Sequence, residues 1–118
     1  MEGLDTRPRI GYNSKRKGAG PMIYSIDEIK KIAAPVAAAH GVRSMRLFGS
    51  YARGQATEQS DIDLRIDCGK VTDLFAWGSL LADLQDVFRK NLDLVTTEGL
   101  DPAFIDRIRP DEVLIYEQ

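Results

Sequence analysis

Apolar and charged residues alternate strictly along "DIDLRI", Asp61 to Ile66, the period of two that marks a half-buried strand. "SMRLFG" and "NLDLVT" read as two further short strands, and "EVLIYE" as an edge strand near the end of the sequence. Between these runs the period lengthens to that of helices. In "YSIDEIKKIAAPVAAAHG", Ile29, Ile32, Ala33 and Val36 fall on one helical face. Ser25 with Glu28 forms a capping box, and Tyr24 with Ile29 supplies the accompanying hydrophobic staple. Pro35 should kink this helix or end its regular part, and Gly41 is a left-handed terminator after His40. From Thr72 to Arg89, Leu74, Trp77, Leu81, Leu84 and Phe88 recur at helical spacing, with Thr72 as the expected cap. "SYARG" reads as a short helix closed by Gly54, "QATEQ" as a loop, and "DPAFIDRI" as a short helix with Pro102 in its first turn. The order helix, strand, helix, strand, helix, strand, small cap predicts an α/β (α+β) fold, a small mixed sheet with helices packed on it.

Length permits one domain with a modest core, 118 residues in all. The segment 1–21 lacks either period and carries Arg7, Arg9, Lys15, Arg16 and Lys17 against Glu2 and Asp5. It is expected to be a flexible basic arm before a folded domain at 22–118, with Met22 an alternative start. A net charge of −2 gives no case for wholesale binding of nucleic acid, except through that arm. The single cysteine, Cys68, excludes an internal disulfide and reads as a buried small hydrophobe after the second strand. The only histidine, His40, reads as a helix-end residue and not as a catalytic base, and Trp77 as core or partner interface. No apolar run reaches the roughly 20 residues of a membrane span and no signal-peptide pattern is present, so a cytoplasmic location is expected.

Alternation on "DIDLRI" sends Ile62, Leu64 and Ile66 to the core and leaves Asp61, Asp63 and Arg65 on the opposite face. In "NLDLVT", Leu92 and Leu94 face inward and Asp93 points out with the first pair. If those strands are neighbours, three carboxylates converge. Such a cluster resists ionising unless a cation shares it. Oxygen ligands without His or Cys suit Mg²⁺ or Mn²⁺, and Mg²⁺ usually fills its remaining positions with water and substrate phosphates. Gly49-Ser50, at a strand-to-helix turn, offers a close backbone approach, free N–H groups and a hydroxyl for a phosphate. Either feature alone is commonplace. Gly-Ser followed after ten residues by Asp, any residue, Asp arises by chance in a chain this size roughly once in a thousand times. The combination reads as a nucleotide-triphosphate site in which two metals serve the attacking and leaving oxygens.

At these residues the chain resembles a known family. "GSYARGQATEQSDIDL" is similar to the signature of the polymerase-beta-type nucleotidyltransferases, and "RLFGSYARG…SDIDLRID" to their minimal nucleotidyltransferase (MNT) branch. The resemblance runs from about Met22 to the last residue. It implies a small nucleotidyltransferase fold using ATP and two Mg²⁺ ions. By that similarity Gly49 and Ser50 would hold the triphosphate, and Asp61 and Asp63 would ligate the metals. Asp93 matches the third carboxylate, implied to help hold the catalytic metal and to orient or deprotonate the acceptor hydroxyl. Arg53 and Ser60 also match the motif. Arg53 is a candidate to contact phosphate or to brace the Gly-Ser turn, and Ser60 to bind there or to shape the entry to the second strand.

The implied reaction moves AMP from ATP to a hydroxyl. Larger superfamily members carry a domain that grips the acceptor, and this chain has no room for one, so the acceptor is expected to bring its own docking surface. Similar minimal proteins resemble antitoxins paired with a HEPN-domain toxin, a helical RNase, which they are implied to silence by adding AMP to a tyrosine. That is the leading expectation. The alternatives are an interaction module that neutralises its partner by binding alone, and a small-molecule adenylyltransferase of the aminoglycoside-modifying kind.

Overall fold

A computed structural model describes residues 23–118, so the expected basic arm at 1–21 lies outside the described residues. Helix α1 (Ile26–Ala39) begins at the capping box: the Glu28 N–H donates to the Ser25 hydroxyl at 3.0 Å, and the Ser25 N–H to the Glu28 carboxylate at 2.8 Å. Its inward face buries Ile29, Ala33 and Ala37. Pro35 does not end the helix, contrary to one sequence expectation. It lies on the exposed side of the helix, away from the buried face of Ile29, Ala33 and Ala37. Gly41, at φ +72°, closes α1 in a Schellman motif, with Gly41 N–H donating to the Ala38 carbonyl and Val42 N–H to the Ala37 carbonyl, both at 3.1 Å.

Four strands follow: β1 (Ser44–Phe48), β2 (Ile62–Asp67), β3 (Leu92–Thr96) and β4 (Val113–Glu117). Between them lie α2 (Gly49–Ala52), α3 (Leu74–Phe88), α4 (Pro102–Ile108) and a 3₁₀ turn at Arg109–Asp111. The sheet order is β3–β2–β1–β4, with β2 parallel to β3 and β1 antiparallel to both β2 and β4. This is the mixed sheet that the alternation predicts, and β4 stands at an edge.

One face of the sheet carries Met45, Leu47, Leu64, Ile66 and Ile115 into a single cluster with Ile29, Ala33 and Ala37 of α1 and Leu80, Leu84 and Phe88 of α3. The inward stripe of α3 starts later than its sequence suggests. Leu74 and Phe75 stand in its first turn, before the helix meets the core, and are 81% and 90% exposed. The cap is also one residue later than expected: Asp73, not Thr72, accepts the Ala76 N–H at 2.8 Å. Arg89 ends α3 in the left-handed region at φ 57°. Among the described residues no helix is long and apolar enough to cross a membrane.

Two contacts fasten α1 to α3 at opposite ends. His40 Nε2 meets the Asp83 carboxylate at 2.7 Å, a structural role for the only histidine. At the other end the Tyr24 hydroxyl donates to the Phe88 carbonyl at 2.6 Å, with the two rings edge to face at 5.3 Å. Tyr24→Phe leaves that buried carbonyl without its donor and is expected to remove about 1–2 kcal/mol, read as a lower urea midpoint at unchanged slope.

The connection from β3 to β4 decides what surrounds the opposite face. The two strands lie at opposite edges yet run the same way, so the chain must cross the sheet and return to the end where β3 began. The core face is already filled by α1 and α3. The crossing therefore runs over the carboxylate face, where Phe104 of α4 packs edge to face on Phe48 at 6.1 Å.

Candidate active site

β1 turns into α2 at Gly49, whose φ of +76° is open to glycine and few other residues. A Cβ at this position would also collide with the Asp63 carboxylate, so the turn is pressed directly against that side chain. Phe48 at the start of α2 makes no side-chain cap, and among the described residues no side chain accepts from the first backbone N–H groups of that helix. Ser50 is half-buried beside them.

Strand register brings the acidic residues together. Asp63 pairs with Asp93 across the parallel β2–β3 ladder and with Phe48 across the β1–β2 ladder, so all three share one row and one face. Asp61 sits one residue before β2, on the same side by alternation. Asp63 is half-buried, whereas Asp61 and Asp93 are exposed. Burial first, then the charges of Asp93 and Asp61, push the Asp63 carboxyl up from 3.8 to about 6, with Arg53 opposing them.

That arrangement fits a divalent cation. The donors are all carboxylate oxygens, and their mutual repulsion is what a metal would relieve. Among the described residues no group of three or more His, Cys, Asp or Glu side chains is placed to hold a metal ion, so Asp63 and Asp93 would need substrate oxygens to complete a site. An open carboxylate set of this kind suits Mg²⁺, which keeps several waters and takes substrate phosphates as ligands.

A pH dependence follows. In the metal-free fold Asp63 keeps its proton up to about pH 6, whereas in the unfolded chain it loses it near 3.8. Its contribution is therefore fully present below about 3.8 and is lost as pH rises through about 6. Allowing for partial exposure, the loss is on the order of 1–2 kcal/mol. Mg²⁺ should accordingly raise the melting temperature more at pH 8 than at pH 5, and the difference should vanish in Asp63→Asn.

The remaining motif residues divide. Arg53 is exposed, donates from Nε to the Gln55 side chain at 3.2 Å, and its charge reaches Asp63. Ser60 is engaged in its own loop, its hydroxyl accepting the Thr57 N–H at 2.9 Å. That bond shapes the approach to β2.

Arg65 was legible as an outward residue of β2, but its partners were not. It is 6% exposed and donates to both carboxylate oxygens of Glu112, each at 2.7 Å, and to the Thr97 hydroxyl at 2.6 Å. One guanidinium thus joins β2 to the ends of β3 and of the crossing segment. Asp67, further along the same face, is also tied in. Burial works against its ionisation, yet hydrogen bonds from Ser44 and Thr97 and the charges of Arg65 and Arg46 hold its carboxyl below the usual range.

Comparison with known proteins agrees with this geometry. The polymerase beta nucleotidyltransferase domain family matches residues 28–118. The chain belongs to that family. Among relatives of this nucleotidyltransferase, a protein of Methanocaldococcus jannaschii named as a protein adenylyltransferase is 36% identical over 89 residues, spanning 75% of this chain and 96% of the relative. The protein adenylyltransferase MntA of Thermococcus cleftensis is 37% identical over 75 residues, 64% of this chain and 76% of that one. The fold is shared with a chain in the complex of the tri-AMPylated Shewanella oneidensis HEPN toxin with its MNT antitoxin, at a TM-score of 0.55 and 18% identity, covering 79% of this chain and 70% of that one.

Cys68 of the nucleotidyltransferase is half-buried at the far end of β2 from this site. Burial, then Glu98 and Asp67, push its thiol up, so it remains protonated and unsuited to nucleophilic work.

Proposed function

We propose that the chain is a Mg²⁺-dependent protein adenylyltransferase of the cytoplasm. It transfers AMP from ATP to a tyrosine hydroxyl of a HEPN-domain toxin and so acts as that toxin's antitoxin. The observation that carries this reading is the pairing of Asp63 with Asp93 directly beside the Gly49 turn. The carboxylate pair and the glycine turn then lie against each other at one end of the sheet. The relatives named as protein adenylyltransferases, and the AMPylated toxin held by an MNT antitoxin, support the acceptor.

In this reading Asp61 and Asp63 hold two metal ions and Asp93 helps hold the catalytic one. Bound there, the cations would offset phosphate charge and favour the ionised acceptor hydroxyl. The backbone N–H groups at Gly49 and Ser50, with the Ser50 hydroxyl, fix the triphosphate so that its α-phosphorus faces the acceptor. Arg53 adds positive charge at the turn. Asp93 orients the acceptor hydroxyl or takes its proton as oxygen bonds to the α-phosphorus and the bond to pyrophosphate breaks.

The test is to incubate the chain with its HEPN partner, ATP and Mg²⁺ and weigh the partner by mass spectrometry. AMP-sized additions on tyrosine, absent with Asp61→Asn/Asp63→Asn, are expected. A binding-only antitoxin is the second reading, favoured by the exposure of Leu74 and Phe75 on α3. It prevails if the double variant still forms the complex and silences the toxin with no added mass on the partner.

A further inference from the structure

We propose that Arg107, on α4, receives the β- and γ-phosphates of the nucleotide held at the Gly49–Ser50 turn. The inference rests on the nucleotidyltransferase reading of that site and adds a residue outside its motif.

The path of the chain brings Arg107 there. β4 begins with Val113 opposite Leu47, at the end of the sheet where Phe48 meets Asp63. The crossing segment therefore climbs toward the carboxylate end as it goes from α4 to the 3₁₀ turn. Phe104 marks its height: its ring packs on Phe48, the residue next to Gly49 and the cross-strand partner of Asp63. Arg107 stands three residues further up the same helix, roughly 4.5 Å along the axis. The crossing runs from the β3 edge toward the β4 edge and by Phe104 has reached β1, leaving Asp93 behind. Arg107 thus lies on the Phe48–Gly49 side of the site and away from Asp93.

Its side chain is held but uncommitted. The guanidinium lies over the Phe104 ring at 5.5 Å, which limits its rotamer freedom while leaving its N–H donors open. Arg107 is exposed and, among the described residues, forms no ion pair. Arg65 is committed to its buried pair with Glu112, and Arg109 lies 3.6 Å from Asp106. A triphosphate beside three carboxylates needs more positive charge than two divalent ions and Arg53 supply. A planar fork fixed on an aromatic ring suits two neighbouring phosphates.

The experiment measures dissociation constants for ATP and AMP with Mg²⁺, by calorimetry, on the full chain as wild type, Arg107→Ala and Arg107→Lys. Melting temperatures should be alike, since the side chain is exposed. Arg107→Ala should weaken ATP binding about 10–100-fold, the equivalent of one charge-assisted contact, and leave AMP within about twofold. Arg107→Lys should fall between, keeping charge without the fork. Unchanged ATP affinity, as expected if Arg107 serves a partner protein instead, overturns the inference. Equal weakening of ATP and AMP overturns it too, because that is the mark of a general disturbance. If the wild type itself binds no ATP, the proposed function falls with it, an outcome distinct from a wild type that binds and an Arg107→Ala that matches it.

Discussion

Asp63→Asn is expected to lower AMP transfer by about 10³-fold or more while making the metal-free chain more stable. The two effects have one origin. Asp63 is the half-buried member of the carboxylate group, and its ionised form is disfavoured by burial and by Asp93 and Asp61. Asparagine keeps the shape but removes the charge, relieving the repulsion and taking away a metal ligand together. The measurements are a rate of partner labelling and a melting temperature at pH 8 without divalent ions. A variant that labels at the wild-type rate would dismiss Asp63 as a ligand. One that melts lower than wild type would mean that the carboxylate is stabilised in ways its neighbours do not suggest.

Arg65→Ala carries the largest expected change in stability, about 3–5 kcal/mol. The side chains of Arg65 and Glu112 are 7% and 4% exposed, so truncating the arginine strands a carboxylate away from water and leaves Thr97 without its donor. Arg65→Met with Glu112→Leu should be far milder, because replacing both partners leaves no buried charge unpaired. Chemical denaturation of the two variants gives the comparison. If the single and the double substitutions cost the same, the pair is not the fastening point between β2 and the crossing segment.

The order of elements was legible because each rests on a local signal. Alternation marked β2, the Ser25–Glu28 box marked the start of α1, and Gly41 marked its end. The face on which Asp63 and Asp93 stand was also legible, since a period of two fixes it once two strands are neighbours. Four things were not. The first turn of α3 continues the apolar spacing, and nothing in the spacing tells where Leu74 passes the limit of the core. The cap of α3 falls to Asp73 because both Thr72 and Asp73 are competent acceptors and the helix start chooses between them. The partners of Arg65 lie 32 and 47 residues along the chain, a separation that no periodicity reads. The same is true of Phe48 and Phe104, whose contact shows which side of the sheet the last connection takes.

That last connection has a consequence for how the molecule comes into being. The paired aspartates sit on strands joined by α3, but the covering of their face, the Glu112 anchor and the closing edge strand all come from the final quarter of the sequence. A nascent chain halted before Val113 would own every carboxylate and the glycine turn, yet lack the edge strand beside β1. Competence should therefore arrive only once β4 has been made, and labelling with radioactive nucleotide of chains stalled before and after that strand would show transfer only in the longer ones.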